Sequence, residues 1–315
     1  ASCILRHEKI GPGYHGSICG RTRDRGNSAY RGEWRVAQFM LGRAQFGDLF
    51  FVPIDLPLLL KAYASGIFPM ADRRDDPDSF WVEPRDRAIL PLDGLRVSKS
   101  LAKVIRQDRF RVTSDQAFAD VIALCAEQTG DRRETWINQD IEQAFLTLHE
   151  RGLAHSVECW DGERLVGGLY GRAFCGESMF SRATDASKVA LVWLVARMRM
   201  GGFKLLDCQF MTDHLASLGA IEISQTAYLA MLTDALAETR FQVSMVASPS
   251  ASSAASSSAG ASGSGLARAG AAGDWGALDL LLASGLSPDF SGSASSPGAG
   301  SSPGKLILHS LTQTS

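Results

Sequence analysis

The clearest alternation of apolar and polar positions lies between residues 174 and 209. Residues 174–181 are predicted to form a buried strand, because bulky apolar side chains recur there among small ones. Residues 186–200 have apolar side chains at helical spacing, with Asp185 as the expected N-cap and Gly201-Gly202 as the end of the helix. Residues 203–209 are predicted to form a second strand.

Polar side chains interrupt both of these strands. Glu177 shares a face of the first strand with Met179 and Ser181, and Asp207 shares a face of the second with Gln209. Burying a carboxylate is costly unless it is paired or used in chemistry. Two carboxylates on strands that flank one helix therefore indicate a site at the strand ends.

The neighbouring pattern extends this unit to residues 153–246. A hairpin is predicted from the two alternating runs that flank Asp161-Gly162, a dipeptide that suits a tight turn. A short helix over 213–218, a strand over 220–224 and a helix over 225–238 complete the expected order. We expect a mixed α/β lobe whose first three strands form an antiparallel meander.

Residues 51–152 are expected to form a smaller N-terminal lobe. Candidate N-caps precede each of its predicted helices, which run over 56–65, 98–106, 114–128 and 138–151. The fold class predicted for the whole chain is α/β (α+β), with this lobe placed before the mixed-sheet lobe.

One basic stripe stands out within the N-terminal lobe. Lys99, Lys103 and Arg106 recur at helical spacing and would lie on one helix face. A solvated helix face is the default interpretation of such a run, and a phosphate-binding patch is the alternative.

The two ends of the chain lack core-forming patterns. Residues 1–50 are rich in Arg and Gly and receive no assignment, and residues 247–315 are dominated by Ser, Ala and Gly. A helical stripe containing Trp275 and Leu278 interrupts that second region, but one such unit cannot bury its own apolar face. A disordered tail is predicted, and deletion of residues 1–50 and 247–304 is expected to preserve activity.

Composition narrows the function classes. The net charge of −2 over 315 residues argues against bulk electrostatic binding of nucleic acid, so any such contact must come from a local patch. The six cysteines form no C-x-x-C pair and show no zinc spacing, which predicts reduced structural thiols and no metal. No apolar run reaches the roughly 18–20 residues of a membrane span, so no membrane contact is expected.

Several separate motifs resemble the leucyl/phenylalanyl-tRNA–protein transferase family over about residues 55–240. They are Ala62-Tyr63-x-x-Gly66-Ile67-Phe68-Pro69, Thr135-Trp136-Ile137, His155-Ser156-Val157-Glu158, Leu165 to Gly171, Gly176-Glu177-Ser178-Met179-Phe180-Ser181, Ala186-Ser187-Lys188, Asp207-Cys208-Gln209 and His214-Leu215-x-Ser217-Leu218-Gly219-Ala220. The resemblance implies an acetyltransferase-like (GNAT-type) C-terminal lobe. It also implies transfer of Leu, Phe or Met from aminoacyl-tRNA to an N-terminal Arg or Lys, which marks the acceptor protein for N-degron degradation. A cytoplasmic monomer without a cofactor is expected.

The same resemblance implies roles for individual residues. Trp136 is expected to wall the pocket for the terminal adenosine of the tRNA, and Asp207 with Gln209 to handle the proton. The pocket around the aminoacyl group is expected to contain Leu169, Phe174, Glu177, Met179, Leu194 and Leu206, and Met70 is expected to be a further substrate-binding residue. Many family members have Trp where this chain has Met70.

The chemistry of aminoacyl transfer suits these residue types. The ester is already activated, so the enzyme must orient an amine and remove its proton. Asp207 is expected to accept or relay the proton, Gln209 to orient the amine, and Cys208 between them to point into packing. Glu177 and Asp207 also offer negative charge for a cationic acceptor. The alternative is a purely structural pair of carboxylates.

Two further points remain open from the sequence. Phe174 and Glu177 have opposite parity, so a bulge at Cys175-Gly176 is predicted if both line one pocket. Two other functions are also compatible with the sequence. One is a tRNA-dependent transferase that adds residues to a cell-wall peptide, and the other is a non-catalytic module that binds tRNA or protein N-termini.

Overall fold

The computed structural model describes residues 34–37, 54–128, 135–172, 175–246, 274–284 and 302–312. The strands are β1 Trp34–Ala37, β2 Phe68–Met70, β3 Phe80–Pro84, β4 Asp86–Ile89, β5 Arg111–Ser114, β6 His155–Asp161, β7 Arg164–Arg172, β8 Cys175–Ser181, β9 Asp207–Gln209 and β10 Ile221–Ser224. The helices are α1 Leu56–Ala64, α2 Lys99–Arg106, α3 Phe118–Ala126, α4 Gln139–Glu150, α5 Ala186–Met200, α6 Asp213–Ser217, α7 Gln225–Val246, α8 Ala277–Ser284 and α9 Pro303–Thr312.

A seven-stranded sheet in the order β10-β4-β9-β8-β7-β6-β5 organises the described residues. Strands β6, β7 and β8 form the predicted antiparallel meander. β8 then pairs in parallel with β9, with Cys175 opposite Asp207. A parallel pair requires a crossover, which α5 provides, and this connection brings the ends of β8 and β9 together. The predicted α/β class with a mixed sheet is confirmed.

The predicted division of the chain at residue 152 does not follow this sheet. β4 and β5 come from the region assigned to the N-terminal lobe, yet β4 pairs with β9 and β10, and β5 pairs with β6. Both strands have only four residues, too few for the local pattern to reveal them. Their partners, which are distant in sequence, determine their position.

A second sheet, in the order β1-β3-β2, lies within the N-terminal part. β1 falls in residues 1–50, for which the sequence shows no strand pattern. Helices α1, α3 and α4 contribute to the adjoining apolar core, in which the rings of Tyr63, Phe118, Phe145 and Tyr170 meet edge to face.

Several predicted helix caps are present and two are not. Asp55, Ser98 and Asn138 accept backbone N–H groups at the starts of α1, α2 and α4. Asp185 instead adopts a left-handed backbone with φ of 67° and accepts a hydrogen bond from Lys188 Nζ at 3.1 Å. Asp115 does not cap α3, because its carboxylate bonds the Ser156 N–H and His155.

The prediction of a disordered tail is wrong for α8 and α9. Both helices pack against the buried helix α5, where Leu278 is 1% exposed and Ile307 is 0% exposed. The apolar face of α8 is thus buried against α5, which lies far away in sequence. Deleting residues 247–304 would therefore remove part of the core. No helix within the described ranges is long and apolar enough to cross a membrane.

Candidate active site

A cavity of about 200 Å³ lies between β8, β9, α5 and α6, at the strand ends that the sequence indicates. Its wall contains eight of the predicted site residues, namely Met70, Trp136, Leu169, Glu177, Met179, Leu194, Leu206 and Gln209. Phe174 lies outside the described residues. The cavity is mainly apolar, with Glu177 and Gln209 as polar groups on one side.

A bulge in β8 places Glu177. Tyr170 pairs with Ser178 and Gly171 pairs with Gly176, so Glu177 has no partner on β7. The predicted irregularity at residues 175–176 is therefore found one residue later. Gly171 allows the strands to approach here, since a Cβ on it would lie 2.2 Å from the Cys175 carbonyl oxygen. The extra residue alters the register and leaves Glu177 in the cavity wall.

The backbone at the end of β9 places Gln209. Its φ of 57° is left-handed, a conformation that costs a non-glycine residue on the order of 1 kcal/mol. Two hydrogen bonds accompany this conformation: the Gln209 N–H donates to Asp207 Oδ1 at 2.8 Å, and Gln209 Nε2 donates to Glu177 Oε2 at 2.9 Å. The Gln209 side chain therefore contacts the carboxylate on the neighbouring strand.

Asp207 is enclosed rather than open to the cavity. It is 0% exposed, and its carboxylate accepts two hydrogen bonds from Arg87, at 2.8 and 2.5 Å, and one from the Tyr228 hydroxyl at 2.9 Å. Burial alone would lower the pKa of Arg87, but the charge and hydrogen bonds of Asp207 raise it. The Arg87 guanidinium also lies over the rings of Phe68 and Tyr228.

This enclosure differs from the prediction that Asp207 reaches a reacting amine. Asp207 is not in the cavity wall, whereas Gln209, whose backbone N–H donates to the Asp207 carboxylate, is. The sequence does not predict the pairing of Asp207 with Arg87, because Arg87 lies 120 positions away on β4 and belongs to none of the motifs that resemble the family. Cys208, expected to point into packing, instead contributes to the cavity wall.

Glu177 has a different environment from Asp207. Burial raises the pKa of its carboxyl group to about 7, and the charge of Asp207 adds to that rise. Tyr63, Arg172 and Gln209 oppose the rise in part. Its Oε1 atom has no hydrogen-bond partner in the part of the chain that the structure describes. Glu177 is thus a carboxyl group that titrates near neutral pH beside an apolar cavity.

The cavity wall also contains residues that were not proposed for the site from sequence. They are Phe68, Tyr170, Gly176, Ser178, Leu191, Cys208, Phe210, Thr212, His214 and Leu215. Burial lowers the pKa of His214, and Lys188 adds to that effect, so its imidazole is neutral at pH 7. His214 belongs to one of the motifs that resemble the transferase family, but no metal-ligand spacing among the histidines marks it as a site residue.

The predicted basic stripe is present on α2 but is not part of the cavity wall. Lys99, Lys103 and Arg106 are exposed, whereas Leu101 and Ile105 on the opposite face are buried. Within the described ranges, no three His, Cys, Asp or Glu side chains are grouped closely enough to bind a metal ion.

Together these features define a mixed α/β protein with an apolar cavity beside a buried carboxyl group whose pKa is raised. The family model for leucyl/phenylalanyl-tRNA protein transferase matches residues 89–233, and the model for the N-terminal domain of that transferase matches residues 53–85. The matches meet near residue 85, not at the predicted boundary at residue 152.

Similar proteins support the same assignment. The leucyl/phenylalanyl-tRNA–protein transferase of Novosphingobium aromaticivorans is 51% identical over 262 residues, covering 82% of this chain and 95% of that protein. The protein of the same name from Rhizorhabdus wittichii is 63% identical over 187 residues, covering 58% of this chain and 75% of that protein. The chain belongs to the leucyl/phenylalanyl-tRNA–protein transferase family.

Proposed function

We propose that this protein transfers Leu, Phe or Met from aminoacyl-tRNA to the N-terminal Arg or Lys of acceptor proteins. The observation that carries this proposal is the apolar cavity with Glu177 and Gln209 on one side. At about 200 Å³ it is smaller than the roughly 300–1,000 Å³ typical of pockets for drug-sized ligands. That size suits one amino-acid side chain better than a nucleoside.

The reaction needs a nucleophile, a proton acceptor and a leaving group. The α-amine of the acceptor attacks the ester carbonyl carbon, forming a C–N bond, and the C–O bond to the tRNA ribose breaks. The proton released by the amine goes to Glu177, which then passes it to the ribose oxygen as that oxygen leaves, so Glu177 ends the reaction deprotonated. A base is most effective when its pKa lies near the working pH, as the value of about 7 for Glu177 does.

Gln209 and Asp207 have supporting roles in this scheme. Gln209 Nε2 donates to Glu177, which leaves the amide oxygen of Gln209 to accept a hydrogen bond from the attacking amine. Asp207 acts as a positioning residue, because its Oδ1 accepts the backbone N–H of Gln209. The predicted role of Asp207 as a direct proton acceptor is replaced by Glu177 in this proposal.

The cavity wall suggests how the donor is placed. Leu169, Met179, Leu194 and Leu206 contact the donor side chain, and their apolar surfaces favour Leu, Phe or Met over polar donors. Trp136 and Met70 belong to the same cavity wall and contact the terminal adenosine of the tRNA outside the volume that holds the donor side chain.

The tRNA body and the cellular setting complete the proposal. Lys99, Lys103 and Arg106 contact tRNA phosphates, a role that their exposure on one face of α2 supports. The protein acts as a monomer in the cytoplasm, where charged tRNA is available, and its products enter N-degron degradation.

A transfer assay tests the proposal directly. The protein is incubated with tRNA carrying radiolabelled Phe and with two peptides that differ only in an N-terminal Arg or Ala. Label is expected on the Arg peptide alone. Binding of charged tRNA without label transfer would favour a non-catalytic module. Transfer to a cell-wall peptide precursor instead would favour the other class of transferase.

A further inference from the structure

A second, smaller cavity adjoins the main one. It measures about 20 Å³ and shares Leu169, Gly176, Leu194 and Leu206 with the main cavity wall. These four residues therefore form a partition between the two cavities. On the far side of the partition lies Trp275, from the region beyond the matched family models.

Residues 274–284, here termed the docked segment, bring Trp275 to this place. Arg197, which is 3% exposed on α5, binds both carboxylate oxygens of Asp279 at 2.7 Å and donates to the Trp275 carbonyl oxygen at 2.8 Å. Gly201 admits the segment closely, since a Cβ on it would lie 2.3 Å from the Asp274 carbonyl oxygen. The docked segment is thus fixed to the helix that also supplies Leu194.

The Trp275 ring is itself held in a defined orientation. It stacks on His155 with ring centroids 4.3 Å apart, and its Nε1 donates to Ser114 Oγ at 2.9 Å. Asp115 in turn bonds His155 Nδ1 at 2.8 Å. These contacts fix the indole behind the partition.

We propose that Trp275 is a specificity-determining residue that limits the size of the donor side chain through Leu169, Leu194 and Leu206. This inference rests on the proposed function, because it treats the main cavity as the donor pocket. Well-packed interiors transmit a change in volume to neighbouring side chains. Removing the indole gives the partition leucines room to shift, so the main cavity accepts a larger side chain.

The test measures donor selectivity rather than activity alone. Relative kcat/KM is determined for tRNA charged with Leu, Phe or the bulkier Trp, using an Arg-initiated peptide. Trp275→Ala is expected to raise the Trp-to-Leu ratio by about tenfold, the low end of what small changes in an apolar pocket produce. Trp275→Phe keeps an aromatic ring against His155 and should give a smaller rise.

A matched control lies in the same docked segment, on α8. Leu280 is 53% exposed, so Leu280→Ala should leave the ratio unchanged. An equal loss with all three donors in both Trp275 variants would overturn the inference and make the segment merely structural. If Trp275→Ala does not fold, the ratio measured for Trp275→Phe decides the question. Absence of transfer by the unaltered protein would instead contradict the proposed function itself.

Discussion

Two carboxylates on neighbouring strands, Asp207 and Glu177, have opposite environments. Asp207 has a full set of donors from Arg87, Tyr228 and the Gln209 backbone, so its charge is compensated. Glu177 receives one hydrogen bond from Gln209, and its pKa lies near 7. The difference separates two tasks: the paired carboxylate fixes the strand end, and the poorly paired one is available to take a proton.

The largest expected effect is on Asp207. Asp207→Asn leaves the buried Arg87 without its counter-charge, which costs about 3–5 kcal/mol of unfolding free energy. Transfer activity should be lost in parallel, because the strand end that positions Gln209 is no longer held by the charge pair with Arg87. Urea unfolding and transfer assays measure both effects. Asp234→Asn, an exposed substitution on α7, is the control and should change stability by less than about 0.5 kcal/mol.

The Asp207→Asn results distinguish a structural role for Asp207 from a direct role in proton transfer. Asp207→Asn with normal stability and reduced turnover would return Asp207 to the role of direct proton acceptor. Normal stability and normal turnover together would show that neither the fold nor the proton transfer depends on Asp207.

Glu177→Gln should act on turnover while sparing the fold. The amide keeps the shape and the contact with Gln209 but cannot accept the proton, so turnover should fall by roughly 10²–10⁴-fold. Stability at neutral pH should not decrease, since a buried neutral amide replaces a group that burial disfavours in its charged form. Quench-flow turnover and thermal unfolding provide the measurements, and near-normal turnover would refute the assignment.

Substituting Lys99, Lys103 and Arg106 together by Ala should weaken tRNA binding without changing turnover at saturating tRNA. Each lost phosphate contact reduces the slope of log affinity against log salt by about one. The charge-matched control replaces Lys61, Arg151 and Arg164, which are exposed elsewhere on the protein. Equal salt slopes for the two triple variants would mean that the α2 stripe is an ordinary solvated face.

Cys208→Ala should have the smallest effect, although the thiol contributes to the cavity wall. Burial raises the pKa of Cys208 to about 12, so the thiol stays neutral and takes no part in proton transfer. Turnover should remain within about threefold of normal, which is under 1 kcal/mol in the barrier. A decrease of tenfold or more in steady-state kcat would show that the thiol contributes to the chemistry.

Local pattern predicts much of this molecule. The meander and the crossover helix α5 follow from residues that alternate or recur at regular spacing near one another, whereas the residues of the cavity wall were expected from the family resemblance. The four-residue strand β4, its Arg87 and the partner of α8 do not, because each depends on residues far away in sequence. For that reason the sequence does not predict that Asp207 is paired with Arg87 whereas Glu177 is not.

The pH dependence of the unfolding free energy also reports on Glu177. Its pKa is higher in the folded protein than the usual 4.5, so the folded state binds more protons between pH 4.5 and about 7. The contribution of this group to stability is therefore fully present below pH 4.5 and is lost as pH rises through about 7. Glu177→Gln should remove that dependence.

The pH dependence of single-turnover transfer tests the central claim most directly. With Glu177 as the proton acceptor, the rate should rise with pH through an apparent pKa near 7 and level off above it. Glu177→Gln should give a low rate without that rise, and its remaining pH dependence should follow only the α-amine of the acceptor, which ionises at about pH 8. A rise near pH 7 that persists unchanged in Glu177→Gln would contradict the account, because some other group would then be removing the proton.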